Sequence, residues 1–296
     1  MIAGPTAIGK TDISIELAAD QFQIISVDSV QVYRYMDIGS GKPTPDQQKK
    51  IQHYCIDIVE PDCLFTAGDF CREAEKACKT IEKAGKIPLF VGGTGMYLDA
   101  FFNGLSNIPP VDPSIKDEIK NRYESEGLEK LYMELERVDP SWAAQVHPND
   151  TQRIIRGLEV YSKTGKPISS FHGKRQGHLS DNTLFTGINC ERSELRDRIF
   201  KRVDYMMKDG FLEEVIRLRD MGFGPGLKSM KSLGYAQLHD HLDGKCGLDE
   251  AVQAIKVETA RFAKRQLTWF RRNDRIHWFN KNQVEKLHEM VYNWIG

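Results

Sequence analysis

The segment Gly4-Pro5-Thr6-Ala7-Ile8-Gly9-Lys10-Thr11 sets two glycines, a lysine and a hydroxyl at the spacing G-x-x-x-x-G-K-[ST], the pattern of a P-loop. Glycine lets successive backbone N–H groups turn inward. The helix-like stretch from Asp12 to Ala18 that follows adds the positive potential of a helix N-terminus. Lys10 reaches phosphate oxygens and Thr11 can ligate Mg²⁺, so Gly4 to Thr11 together are expected to hold a diphosphate. An ATPase or GTPase would also end a later strand in a carboxylate that organises Mg²⁺ and the attacking water. Here Leu89-Phe90-Val91 runs instead into Gly92-Gly93-Thr94-Gly95. That omission disfavours hydrolysis and favours a diphosphate that departs while another acceptor attacks.

A second group of reactive types is Asp28-Ser29-Val30-Gln31-Val32-Tyr33, at the carboxyl end of the strand Gln23 to Val27. Ligands of open parallel sheets bind at such strand ends. Asp28 suits a general base, and equally suits the cap of a following helix. Gln31 carries the donor and acceptor needed to read one edge of an adenine. Far along the chain, Lys256, Arg261, Lys264, Arg265, Arg271, Arg272 and Arg275 are offset by only Glu258 and Asp274, a density of positive charge suited to a phosphate backbone.

The elements that must position these residues follow from periodicity. Short β-branched runs at Gln23 to Val27, Tyr54 to Val59 and Ile87 to Val91 alternate with helical patterns, one of them running from an N-cap near Thr66 to a stop at Gly85. Strands joined by helical crossovers predict an α/β fold, a P-loop NTPase-like doubly wound parallel sheet. From 113 to 178 strand signals vanish, and short helices are expected around Ile115 to Tyr123, Leu128 to Glu136, Trp142 to Val146 and, capped by Asp150, Thr151 to Lys163. This predicts a helical insertion at 113–178 within a catalytic core of 1–112 and 179–296. A strand returns at Leu184 to Ile188, followed mainly by helices, including a long one from about Leu248 to Arg272.

Composition sets outer bounds. In 296 residues, 40% apolar and 28% charged, no apolar run nears the roughly 18 to 20 residues that span a bilayer. The start, Met-Ile-Ala-Gly-Pro-Thr, has no signal-peptide pattern, which predicts a cytoplasmic protein without membrane partners. The six cysteines form no C-x-x-C pair and read as reduced thiols. On residues alone, a nucleoside or nucleotide kinase shares the P-loop, the strand-end Asp and the missing hydrolytic carboxylate. A non-catalytic RNA-binding protein that retains a P-loop is a third class.

Taken in order, several motifs resemble the tRNA dimethylallyltransferases, also called tRNA isopentenyltransferases, in their bacterial form. They are Gly4-Pro5-Thr6, Asp28 to Tyr33, Met36-Asp37-Ile38-Gly39 with Lys42-Pro43-Thr44, and Gly92 to Tyr97. His147-Pro148-Asn149-Asp150, Gln152-Arg153-Ile154 with Arg156, Leu233-Gly234-Tyr235 and Ala263 to Arg271 continue the match over nearly the whole chain. The resemblance implies transfer of a dimethylallyl group from dimethylallyl diphosphate to N6 of the adenine beside the anticodon, with Mg²⁺ as cofactor and diphosphate released. It implies catalytic roles for Asp28, Thr94, Lys10 and Arg202, with Thr11 on the metal. It also implies contacts to the tRNA anticodon stem-loop from Asp28, Ser29, Val30, Gln31, Thr94, Lys116, Gln152, Arg153, Ile154, Ile155, Arg156, Lys264 and Arg265. A monomer is expected.

Overall fold

The structure, a computed structural model, describes residues 1–18, 21–173, 177–178 and 182–296. The chain divides into two compact units, Met1–Phe102 with Leu179–Gly296, and Asn103–His178. The second thus begins at Asn103 rather than at the expected 113, and the junction expected at 178/179 adjoins residues outside those described.

The first unit opens with β1 (Ile2–Ala3), α1 (Lys10–Ala18), β2 (Phe22–Val27), α2 (Pro45–Lys50), β3 (His53–Tyr54), α3 (Ala67–Lys83), β4 (Ile87–Gly92) and α4 (Gly95–Asn103). The second unit carries α5 (Pro113–Glu126), α6 (Leu128–Val138), α7 (Pro140–Ala143) and α8 (Thr151–Thr164). The first resumes with β5 (Thr186–Asn189), α9 (Arg192–Lys208), α10 (Phe211–Asp220), α11 (Tyr235–Leu242), α12 (Leu248–Phe270), β6 (His277–Asn280) and α13 (Val284–Ile295).

Among the described residues six strands form one sheet in the order β3-β2-β4-β1-β5-β6, and every pairing is parallel. Alternate side chains leave the sheet on opposite faces. Ile25, Val27 and Phe90 enter one core with Phe70 and Phe101, while Ile24, Leu89 and Val91 enter another with Ile8, Ile13 and Leu17. Burial on both faces explains why the strands read as continuous apolar runs. α3 shows the local logic of a crossover helix. Thr66 and Asp69 cap its first turn reciprocally, and Phe70, Ala74, Ala77 and Ile81 line the stripe it buries. Because β1 lies between β4 and β5, the loop leaving it opens at the carboxyl ends of β2 and β4.

Two expectations about strands need correction. Of the run Tyr54 to Val59 only Tyr54 lies in a strand, β3, and Val59 makes an isolated bridge to Tyr33, because Cys55 and Asp57 take positive φ values of 61° and 53° that break the ladder. Lys42 holds this turn, its ammonium donating to the Tyr33 carbonyl at 2.7 Å and to the carboxylates of Asp37 and Asp57. Conversely β6, in a region expected to be helical, extends the sheet by pairing with β5.

The second unit has its own core of Ile119, Leu131, Leu135, Ala143, Val146, Ile154 and Leu158. Asp150 caps α8 by accepting from the Arg153 amide at 3.2 Å.

Candidate active site

A cavity of about 870 Å³ lies at the carboxyl ends of β2 and β4, walled by Lys10, Thr11, Asp28, Gln31, Gly93 and Arg202 among others. Its floor is the turn between β1 and α1. Positive φ at Ala7 (63°) and Gly9 (100°) curls that backbone. The Lys10 ammonium folds back onto the loop, donating to the carbonyls of Gly4 at 2.9 Å and Pro5 at 2.8 Å. Thr6 directs its N–H away, to Gln266 Oε1 at 2.9 Å, and Pro5 has no N–H to offer. The amides left for an anion are therefore those from Ala7 to Thr11. Arg198, which sequence reasoning missed, donates from Nε to the Ala7 carbonyl at 2.9 Å and also lines the cavity.

The cations here are held out of water. Burial, then the neighbouring Arg202, push the Lys10 ammonium down to about 7 from 10.5, with Asp28 opposing. Burial likewise lowers Arg202, and Asp28 again opposes. The Arg202 guanidinium lies directly against Gly41. A Cβ there would sit 1.6 Å from Nη2, and the φ of +60° adds a second reason for glycine. A site that strains to keep its positive charge binds an anion that relieves the strain. Diphosphate favours the protonated form of Lys10, so above pH 7 binding takes up a proton and affinity falls as pH rises. Calorimetry with inorganic diphosphate is expected to show binding at pH 8.5 weaker than at pH 6.5 by about tenfold relative to Lys10→Arg, whose guanidinium keeps its proton. A pH-independent ratio would contradict the buried ammonium.

On the other wall, Asp28 Oδ1 accepts from the amides of Val30 at 2.8 Å and Gln31 at 3.2 Å. No helix begins directly after β2, the next being α2 at Pro45, so Asp28 caps a turn, and among the described residues its Oδ2 makes no hydrogen bond. Thr94 joins from the glycine turn after β4, its Oγ1 accepting from the Ser29 amide at 3.2 Å. Gln31 differs from expectation. Its Oε1 accepts from Ser26 Oγ at 2.8 Å and its Nε2 donates to the Gly41 carbonyl at 3.1 Å. With both ends of the amide engaged, Gln31 braces the loop that seats Arg202.

Two further residues were given no role by the sequence. Glu214 on α10 is fully buried and accepts from the amides of Asp37 at 3.0 Å, Ile38 at 2.7 Å and Gly39 at 3.1 Å, and from Tyr235 Oη at 2.7 Å. Burial and this carboxylate raise the Tyr235 phenol well above its ordinary range. Gln266 on α12 bonds both the P-loop and the turn after β4.

The residues expected to meet RNA fall on each unit separately. On the first, Arg261, Lys264, Arg265, Thr268 and Arg272 are exposed on or just after α12. Lys256 is not part of that surface, being 11% exposed and paired with Asp204 at 2.6 Å. On the second, Lys116, Gln152 and Arg153 are exposed and Arg156 is half-buried beside Glu159. Ile154 is a correction. At 0% exposure it packs in the core of that unit with Ile155 against it, so its side chain positions the helix and does not face RNA.

Fold and site together define an α/β P-loop protein whose loop faces a cavity wall with a carboxylate and a hydroxyl. A family model described as IPP transferase matches residues 31–273. The chain is 46% identical over 284 residues to the tRNA dimethylallyltransferase of Syntrophobacter fumaroxidans, covering 95% of this chain and 82% of that one. It is 43% identical over 289 residues to the one of Thermotoga neapolitana, covering 97% and 93%. The crystal structure of a full-length tRNA isopentenylpyrophosphate transferase from Bacillus halodurans matches with a TM-score of 0.72 at 35% identity, over 99% of this chain and 95% of that one. A eukaryotic dimethylallyltransferase caught acting on tRNA matches with a TM-score of 0.79 at 29% identity, over 95% and 73%. This chain belongs to the IPP transferase family.

Proposed function

We propose that this protein transfers a dimethylallyl group from dimethylallyl diphosphate to N6 of the adenine beside the anticodon of tRNA, releasing diphosphate. The observation that carries the reading is Asp28 Oδ2, without a hydrogen bond among the described residues, across one cavity from the P-loop, where a hydrolytic enzyme would need a carboxylate at the end of β4. The N6 lone pair is delocalised into the ring, so attack needs a base at its proton and an electrophilic carbon. Asp28 takes the proton as the N6–C1 bond forms. The C1–O bond breaks with its electron pair passing to the diphosphate, and the growing charge is met by the P-loop amides, Lys10 and Arg202. Thr94 orients the acceptor through its contact with the Asp28-Ser29 turn.

Thr11 stands in the first turn of α1, and among the described residues its hydroxyl has no hydrogen bond and no group of three His, Cys, Asp or Glu is placed to hold a metal ion. That donor set fits Mg²⁺, which keeps waters and phosphate oxygens rather than a protein cage. Bound there, Mg²⁺ supplies further positive charge against the leaving group.

For the RNA, Lys116, Gln152, Arg153 and Arg156 on the second unit and Lys264 and Arg265 on α12 contact the anticodon stem-loop. The target base leaves its stack at a cost that is small in a loop. The protein acts as a monomer in the cytoplasm; among the described residues no helix is long and apolar enough to cross a membrane. Arg153→Ala and Arg265→Ala are each expected to weaken RNA binding and reduce the slope of log K against log salt by about 1, with diphosphate affinity unchanged. Parallel loss of diphosphate binding would refute this division. To test the activity, an anticodon stem-loop is incubated with dimethylallyl diphosphate and Mg²⁺, digested, and its nucleosides weighed. A prenylated adenosine, absent when guanine replaces the target, is the expected product; unmodified adenosine throughout would overturn the reading.

A further inference from the structure

We propose that Gln266 is a positioning residue that fixes the distance between the departing diphosphate and the attacking adenine; the inference rests on the transfer reading above. The side chain is 8% exposed and projects from the buried face of α12. Its Oε1 accepts from the Thr6 amide at 2.9 Å, and its Nε2 donates to the Gly93 carbonyl at 2.9 Å. These partners belong to the two halves of the site. Thr6 opens the cradle that grips the leaving group. Gly93 opens the turn whose next residue, Thr94, accepts from Ser29 beside Asp28.

No backbone hydrogen bond outside the sheet ladder joins the P-loop to that turn, so one planar amide spans the gap. Gly93 and Thr94 meanwhile both donate to the Val27 carbonyl at 3.2 Å, which locks the acceptor turn onto the end of β2. The fit leaves no slack. A Cβ on Gly93 would lie 2.2 Å from Gln266 Nε2, and one on Gly95 would lie 2.3 Å from the ring of Trp269, one turn further along α12. The helix thus presses Gln266 and Trp269 against the glycine turn while Lys264, Arg265 and Thr268 stay exposed.

Alkyl transfer needs nucleophile and carbon about 3 to 3.5 Å apart and in line, and a misplacement of about 1 Å costs about a hundredfold in rate. A strut between the halves acts on that geometry and on neither ligand alone. Its signature is a loss of rate at saturation with both affinities retained.

The test is single-turnover transfer by the full chain from dimethylallyl diphosphate to an anticodon stem-loop. Gln266→Ala is expected to lower the saturated rate by about a hundredfold, with each dissociation constant within about threefold of wild type. Gln266→Glu supplies a second variant. Its ionised carboxyl still accepts from Thr6 but cannot donate to the Gly93 carbonyl, and its protonated form does both. The ratio of its rate to that of wild type is therefore expected to rise as pH falls, a rescue that simple loss of packing does not give. A saturated rate within about threefold of wild type for Gln266→Ala, a loss abolished by more prenyl donor, or a ratio flat with pH would each overturn the proposal. If the wild type itself transfers nothing, the transfer reading fails. The strut is then tested by hydrogen exchange of the Thr6 amide, which is expected to lose protection in Gln266→Ala and whose unchanged protection would overturn it.

Discussion

Asp28→Asn is expected to lower the single-turnover rate of prenyl transfer by about 10² to 10⁴ while leaving diphosphate and RNA affinities within a few-fold of wild type. The asparagine is chosen for its geometry. Asp28 Oδ1 accepts from Val30 and Gln31, and an amide oxygen keeps both bonds, so the turn that carries Ser29 is preserved. What is lost is the second oxygen as a proton acceptor for N6. Asp28 also opposes the depressed basicity of Lys10 and Arg202, so its neutralisation has two opposed effects on diphosphate: Lys10 becomes harder to keep charged, which weakens binding, and a nearby negative charge that repels the anion is removed, which offsets the loss. A fall in rate without a fall in diphosphate affinity is therefore the specific expectation. A variant retaining more than about a tenth of wild-type rate would show that the carboxylate is not the base.

Glu214→Ala is expected to cost about 3 to 5 kcal/mol of folding stability in urea titration, with Tyr235→Phe costing about 1 kcal/mol. The carboxylate is the common acceptor for three consecutive amides and a buried phenol, and its removal leaves four donors facing a void. Each buried donor without a partner costs about 1 to 3 kcal/mol, and water entering the gap recovers part. The loop so released is the one that seats Arg202 against Gly41 and takes the Gln31 amide. Diphosphate affinity is therefore expected to fall along with stability. A loss below about 1 kcal/mol would mean that the loop holds its shape without Glu214.

What was legible in the sequence is what chemistry forces into a short window. A P-loop needs glycine, lysine and a hydroxyl at fixed offsets, so the loop Gly4 to Thr11 that floors the cavity was readable before any fold was known. The parallel sheet was legible because burial on both faces makes β2 and β4 continuous apolar runs. β6 was not, because four residues between helices, HWFN, carry too little pattern to separate strand from helix. β3 was overestimated because the left-handed turns at Cys55 and Asp57 involve neither glycine nor asparagine.

The least legible residues act through partners far away in the chain. Glu214 reaches Asp37 to Gly39 and no local spacing announces it, while Gln266 stands inside the motif Ala263 to Arg271 but reaches Thr6 and Gly93, a role that the motif does not spell out. Ile154 shows the opposite failure. Carried along with its neighbours Arg153 and Arg156 as an RNA contact, it instead supplies the apolar side of their helix, as alternation around an amphipathic turn dictates. Lys256 was grouped with a basic run by sequence proximity, yet it pairs with Asp204 on α9 rather than facing solvent.

The most direct test uses dimethylallyl diphosphate labelled with one isotope in the prenyl carbons and another in the phosphorus, incubated with an anticodon stem-loop that carries the target adenine. Alkyl transfer predicts that the carbon label enters the RNA in proportion to protein turnover while all the phosphorus label is recovered as free diphosphate. Phosphorus label on the RNA, or carbon label released as free alcohol with none on the adenine, would contradict it.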